Sequence, residues 1–294
     1  MYARTVRARR EGVLTEVPGL KLFDEVLATE ALPASEVLCG DEDAAIGARA
    51  AAGAAGEAVE RGVGFGRHLA TQHASARYAR ATMTSTTPTP IELFFDIGSP
   101  YSYLAAELVG EVAERTGAPV RWRPFLLGAV FKASGNEMPA RVAAKAKWML
   151  DDLRGWARLY DVPFKMPSRF PLNTLRTQRA ICAVSLLAGE AAVPAYAMAL
   201  FQAYWVDDRD ISSDEELARL ANATGLDALT IVTAIDVQAT KDLLRANTDE
   251  AVKRGAFGAP TFFVGDAMFW GHDRLALVEA AISGDAVVHA RLGL

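Results

Sequence analysis

The sequence predicts an α/β fold in which a small sheet is interrupted by an inserted all-α domain. Three observations carry that reading. A β-rich apolar run (Ile91, Leu93, Phe94, Phe95, Ile97) is followed by a helical stretch and then by the alternating Val120, Trp122 and Pro124-Phe125. Residues 128–255 read as almost wholly helical. Thr261-Phe262-Phe263-Val264 then turns at Gly265-Asp266 into Ala267-Met268-Phe269-Trp270, an antiparallel hairpin. With 294 residues, 51% of them hydrophobic and 23% charged, the chain has enough apolar surface for a large core.

Composition also narrows the partners. A net charge of -5 supplies no basic field of the kind that draws proteins to phosphate backbones, so no nucleic acid is expected. No apolar run reaches the roughly 18 residues of a membrane span, so no membrane is expected either. The arginine-bearing start (Arg4, Arg7, Arg9, Arg10) lacks an apolar core, which argues against a secretory signal. Cys39 and Cys182 stand far apart and fit neither a disulfide framework nor a zinc site. Two lone thiols suit a reducing compartment, and a cytoplasmic location is expected.

Residues 1–88 hold no sustained apolar period. They read as a flexible N-terminal extension, or as an upstream misassigned reading frame with Met83 as the true start. The first strand begins at Ile91. After it, Ser99 has the chemistry of a helix cap and Pro100 occupies the favoured first helical position. That helix runs to Thr116 and closes at Gly117, before a second strand joined in parallel by the crossover. Within 128–255, Met149, Leu153, Trp156 and Tyr160 form an amphipathic face. Asn173 caps a helix through Leu186, Pro194 opens one through Trp205, Ser213 caps another with Glu216 in capping-box position, and shorter helices cover 227–254. A last helix spans about 273–282. The order β-α-β, helical insertion, β-β-α is that of a thioredoxin-like domain split at 89–127 and 256–294 around an inserted helical domain at 128–255.

Five motifs in order then resemble one family. They are Phe95-Asp96 with Ser99-Pro100-Tyr101-Ser102-Tyr103-Leu104, then Phe131-Lys132-Ala133-Ser134-Gly135-Asn136, then Phe170-Pro171-Leu172-Asn173-Thr174. Phe257-Gly258-Ala259-Pro260-Thr261-Phe262-Phe263-Val264-Gly265 follows, trailed by Phe269-Trp270-Gly271-His272-Asp273-Arg274. Over residues 90–283 the chain resembles the kappa-class glutathione transferases and the bacterial 2-hydroxychromene-2-carboxylate isomerases, which share the DsbA-like thioredoxin architecture.

The resemblance implies glutathione as cofactor and Ser99 as the catalytic residue. Where redox relatives place Cys-x-x-Cys, this chain has Ser99-Pro100-Tyr101-Ser102. There is no sulfur for redox chemistry there, but a helix start still favours a thiolate brought by a ligand. On local sequence alone Ser99 reads first as a simple helix cap, and the Gly-Ala-Pro-Thr motif reverses that balance. Pro260 is expected to be cis, with Ala259 offering its backbone to the cysteinyl part of glutathione. Lys132 and Asn136 are read as lying just after the second strand, in a loop with Ser134-Gly135 that a buried helix would not tolerate, and Asn136 is expected to hydrogen-bond glutathione from there. His272 and Asp273 are expected to meet its γ-glutamyl end, although Asp273 also suits a first-turn acid. Lys132, Asn173 and Arg176 are expected to hold carboxylate groups, with Asn173 also a plausible cap. Trp148, Trp156, Tyr204 and Trp205 either line an aromatic pocket or pack the core.

The leading expectation is therefore glutathione-dependent isomerisation of a small aromatic carboxylate. A kappa-type transferase and a non-catalytic thioredoxin-like binding module are the alternatives. Relatives commonly form homodimers, but no interface is legible in the sequence. Cys182 falls in the apolar pattern of a helix and reads as a small core residue.

Overall fold

The computed structural model describes residues 88–285 and 289–290. The expectations for residues 1–87, including the Met83 start, and for Cys39 lie outside the described residues. β1 (Ile91–Phe95) leads through α1 (Pro100–Thr116) to β2 (Val120–Pro124). Seven helices follow: α2 (Leu127–Ser134), α3 (Ala143–Leu159), α4 (Leu175–Ala188), α5 (Val193–Trp205), α6 (Asp214–Ala223), α7 (Ala228–Ala234) and α8 (Gln238–Lys253). β3 (Thr261–Val264), β4 (Ala267–Trp270) and α9 (Leu275–Ile282) come next. The sheet order is β2-β1-β3-β4, with β1 and β2 parallel and β3 antiparallel to both of its neighbours.

Strand alternation sorts the side chains onto two covered faces. Ile91, Leu93 and Phe95 of β1 join Phe262 and Val264 of β3 in the largest apolar cluster. That cluster runs on without a break through Val109 and Val112 of α1 to Ile181, Phe201 and Trp205 of the inserted helices. The opposite face sets Phe94 and Phe263 against Val130 of α2 and Ala251 of α8. The inserted helices therefore share their core with the sheet.

Polar side chains from the insertion also tie down the carboxyl ends of the strands. The buried Gln178 Nε2 donates to the carbonyls of Phe95 and Phe125, both at 2.8 Å. Trp205 Nε1 donates to the Ile97 carbonyl at 2.8 Å, and Asn247 Nδ2 to that of Pro124 at 3.0 Å. These carbonyls lie at the end of the sheet, where that of Phe95 also accepts from the Phe125 N–H at 3.1 Å, and each buried acceptor needs a partner. The loops that begin there are fixed as a result.

Some local expectations need correction. Residues 127–134 form a helix, not a loop. Ser134-Gly135 does not prevent it but ends it, because Gly135 adopts the left-handed conformation at φ 70 and returns its N–H to the Phe131 carbonyl. The stretch between α3 and α4 is not helical. Pro163, Pro167 and Pro171 each lack an N–H and bias the residue before them away from helix, and the Phe170-Pro171 bond is cis. Only half of the Ser213 capping box forms. Ser213 Oγ accepts from the Glu216 N–H at 3.2 Å, whereas the Glu216 carboxylate turns to Arg209 and Arg219, which hold its pKa down at about 2. On α3 the buried stripe is Ala146, Leu150, Leu153 and Ala157, one position away from most of the expected face. The last helix opens as a 3-10 turn over His272–Arg274.

Replacing Gln178 with leucine orphans the buried Phe125 carbonyl and leaves that of Phe95 with the Phe125 N–H alone, while removing one orphaned oxygen, since Gln178 Oε1 is itself buried without a partner. The expected net loss is about 1–3 kcal/mol in urea denaturation. An unchanged midpoint contradicts the anchoring role.

Candidate active site

The turn between β1 and α1 is built by two side chains. Asp96, 2% exposed, accepts from the N–H groups of Gly98 and Leu127, both at 2.9 Å, so one carboxylate joins the loops that follow β1 and β2. Burial raises its pKa, against the lowering effect of those N–H donors. Ser99 then caps α1. Its Oγ accepts from the Ser102 N–H at 3.2 Å and donates to the Ala259 carbonyl at 3.2 Å. Pro100 carries no N–H, and the Tyr101 N–H has no acceptor among the described residues. The helix therefore presents one free amide and one hydroxyl at its positive end.

The Ala259 peptide faces this helix start because the Ala259-Pro260 bond is cis, as expected from sequence. Ser99 and Ala259 are 160 positions apart in the chain, and their hydrogen bond joins the two halves of the fold. Gly258 lets Trp270 lie flat beside this turn, since a Cβ there would stand 2.5 Å from the indole Nε1.

A cavity of about 610 Å³ opens over this junction, within the roughly 300–1,000 Å³ range of small-molecule sites. Ser99, Asn136, Ala259, His272 and Asp273 all line it. Asn136 spans its rim, donating from Nδ2 to the Phe257 carbonyl at 2.9 Å while Oδ1 accepts from the Glu137 N–H. Trp148 and Trp156 contribute aromatic wall, whereas Tyr204 and Trp205 are core residues.

The structure does not bring three expected residues to the cavity. Lys132 is exposed on α2 and is absent from the lining. Asn173 spends its Oδ1 on the Leu175 N–H at 3.0 Å, a local cap. Arg176 is held by Asp214 and Asp236 on the surface. The cations that do line the cavity are Lys145 and Arg274. Arg274 pairs with Asp273 at 2.7 Å, and Lys145 has no ion pair among the described residues.

Sequence reasoning also missed Asp96, Asp152 and the setting of His272. The Asp-x-Gly spacing at 96–98 is a readable turn signal. Asp152 is set by α3, whose Lys145, Trp148, Met149, Asp152 and Trp156 recur at helical spacing and form a second stripe facing the cavity. Asp152 accepts from the Tyr101 hydroxyl at 2.8 Å. Burial, with Asp152 adding to it, pushes the Tyr101 pKa up. The His272 ring stacks on Tyr101 with centroids 5.3 Å apart, and meets Trp156 and Tyr160 edge-on at 4.9 and 6.0 Å. It is 4% exposed, and Nε2 is buried without a partner. Burial lowers its pKa, opposed by Asp273 and Asp152 and assisted by Arg274.

Comparison with known proteins agrees with this fold. Residues 90–283 match the family model of the DSBA-like thioredoxin domain. The chain is 34% identical over 192 residues to the 2-hydroxychromene-2-carboxylate isomerase of Sphingobium xenophagum, covering 65% of this chain and 96% of that protein. It is 30% identical over 203 residues to glutathione S-transferase kappa 1 of Rattus norvegicus, covering 65% and 89%. A solved 2-hydroxychromene-2-carboxylate isomerase superposes with a TM-score of 0.61 at 28% identity, covering 69% of this chain and 98% of that one. The chain belongs to the DsbA-like thioredoxin family and, within it, to the group that contains the 2-hydroxychromene-2-carboxylate isomerases and the kappa-class glutathione transferases. No helix among the described residues is long and apolar enough to cross a membrane.

The buried imidazole predicts a pH signature. The unfolded chain protonates His272 near its ordinary pKa of about 6.5, while the folded protein resists until lower pH. Stability therefore falls as pH drops below that value. Comparing urea midpoints at pH 8 and pH 5.5 for the wild type and His272→Phe, the wild type is expected to lose more. Equal losses contradict the assignment.

Proposed function

We propose that the chain is a glutathione-dependent isomerase that converts 2-hydroxychromene-2-carboxylate to trans-o-hydroxybenzylidenepyruvate, a step in aromatic hydrocarbon catabolism. The observation that carries the reading is the Ser99 hydroxyl, at the amino end of α1 and against Ala259, inside a cavity of ligand size. Its residues fit a tripeptide thiol. The Tyr101 N–H is a free donor at the helix start, and the Ala259 peptide before Pro260 offers backbone to an extended peptide. When bound, glutathione supplies a thiolate that adds reversibly to a conjugated carbon and departs after the bond has rotated.

The chain's own share is electrostatic and positional. The long Ser99–Ala259 hydrogen bond at 3.2 Å is weak enough to be exchanged, and rotation about Cβ–Oγ turns the proton from the Ala259 carbonyl toward a neighbouring anion. The Tyr101 N–H adds a second donor. Lys145, rather than Lys132 or Arg176, is the cation available to a substrate carboxylate. Trp148 and Trp156 give a planar ring apolar contact and exclude water from it.

Kappa-type transfer is the second reading, supported by the similarity to the rat enzyme. Incubation with 2-hydroxychromene-2-carboxylate and with a chlorodinitrobenzene-type electrophile separates the two. Isomerisation without net consumption of glutathione supports the first, and conjugate formation without isomerisation reverses the ranking. Absence of glutathione binding in calorimetry points instead to a non-catalytic module.

Ser99→Ala removes a hydrogen bond to a charged group, and turnover is expected to fall roughly 10- to 100-fold. Alanine also loses the helix cap, whereas glycine caps almost as well as serine. Ser99→Gly therefore separates the two roles: it is expected to keep stability and still lose turnover. Full activity in the glycine variant contradicts the role of the hydroxyl.

A further inference from the structure

Among the described residues His272 Nε2 is buried without a hydrogen-bond partner, although the residue is 4% exposed and lines the cavity. Buried polar atoms in folded proteins nearly always find partners, and the exceptions concentrate where a ligand or a reaction completes the site. The ring is also held in place. Tyr101 of α1 stacks on one face, and Trp156 and Tyr160 of α3 close on it edge-on. Packing of this kind fixes the orientation of an imidazole without satisfying it.

The surrounding charges say what the missing partner is. Burial disfavours the charged ring most and keeps it neutral in the free protein; Asp273 in its own turn and Asp152 on α3 favour the charged form, and Arg274 opposes it. Arg274 is itself paired with Asp273 at 2.7 Å. The two tyrosines whose rings pack on it, Tyr101 and Tyr160, have raised pKa values, so neither is a source of negative charge at neutral pH. A ligand carboxylate brought to this ring meets two carboxylates already present. An imidazolium formed at the same place gains from both of them and from the π face of Tyr101. The free ring is therefore a neutral base with an unpartnered nitrogen, and two carboxylates stand where they offset the charge of an imidazolium formed beside a bound anion.

We infer that His272 takes the proton which bound glutathione gives up, so that the thiolate over the start of α1 and the imidazolium of His272 are formed together in one cavity. This rests on the glutathione reading above. In the step the S–H bond breaks, its electron pair stays on sulfur, and an N–H bond forms on the ring; no other reactant takes part. Burial of the thiolate then adds no net charge to the apolar cavity, which a lone thiolate does. The serine and the helix start stabilise the anion, and the histidine supplies the base that makes it. The imidazolium is afterwards placed to return the proton to an oxygen anion released in ring opening.

The test counts protons. Near pH 7 a free thiol of ordinary pKa, about 8.5, is almost wholly protonated. Binding it as thiolate releases about one proton to the buffer unless the protein keeps that proton. Glutathione is titrated into the full chain by calorimetry in buffers of differing ionisation enthalpy, with ultraviolet absorbance reporting the thiolate fraction in the same samples. Wild type is expected to show thiolate with net release near zero. His272→Gln and His272→Phe, each checked by circular dichroism for native fold, are expected to need a pH higher by about one unit or more for the same thiolate fraction, and to release about one proton where it forms. Wild-type release of about one proton per thiolate overturns the inference without recourse to a variant, as does an unshifted thiolate midpoint in either variant. In both cases the glutathione reading stands. Failure of wild type to bind glutathione sinks that reading and this inference with it.

Discussion

The hydrogen bond from the Ser99 hydroxyl to the Ala259 carbonyl is the constraint on which the rest of the site depends. It joins residues 160 positions apart, and it fixes the start of α1 against the turn that holds Pro260. The same oxygen accepts from the Ser102 N–H, so the side chain that caps the helix is also the one that faces the cavity. Capping and ligand contact are therefore not competing explanations of Ser99. The cap orients Oγ, and the orientation leaves its proton on the cavity side, shared with a carbonyl at the long distance of 3.2 Å. A hydroxyl so placed is held in position but not committed to one acceptor.

Everything behind that junction serves to keep it in register. Asp96 links the turn after β1 to the turn after β2, and Gln178, Trp205 and Asn247 reach out of the inserted helices to the last carbonyls of the strands. The insertion thus does two jobs. Its inner surface continues the sheet's own core, while α3 turns a separate stripe of Lys145, Trp148, Asp152 and Trp156 toward the cavity. A mainly apolar chamber results, with a few polar groups at fixed places. Electrostatic interactions count for more in such a setting than in water.

Much of this was legible in the sequence because its signals are local. Strand alternation from Ile91 onward, Ser99-Pro100 at a helix start, Gly117 at its end and Gly265-Asp266 in a hairpin each name their own structure within a few residues. The cis Pro260 and the positions of Asn136, Ala259, His272 and Asp273 around one cavity followed from motifs in series. What escaped was decided over distance. Lys132 sits on an eight-residue helix with only Val130 buried, too short and too exposed for its period to register. Arg176 is claimed by Asp214 and Asp236, one of them 60 positions away, and no spacing rule foretells such a pairing. Lys145 and Asp152 were hidden because α3 carries two apolar-looking stripes side by side, and the face read from sequence mixed them: Leu153 is core, while Met149 and Trp156 line the cavity. The orphaned state of His272 has no sequence signature at all, since it is defined by which partners are missing.

The account's central claim is that the amino end of α1 holds a borrowed sulfur. The most direct measurement is a crystal structure of the chain with glutathione bound. The sulfur is expected within hydrogen-bond reach of Ser99 Oγ and the Tyr101 N–H, roughly 3–4 Å, with the cysteinyl backbone paired to Ala259. Glutathione seated with its sulfur away from that helix start, beyond contact with either donor, contradicts it.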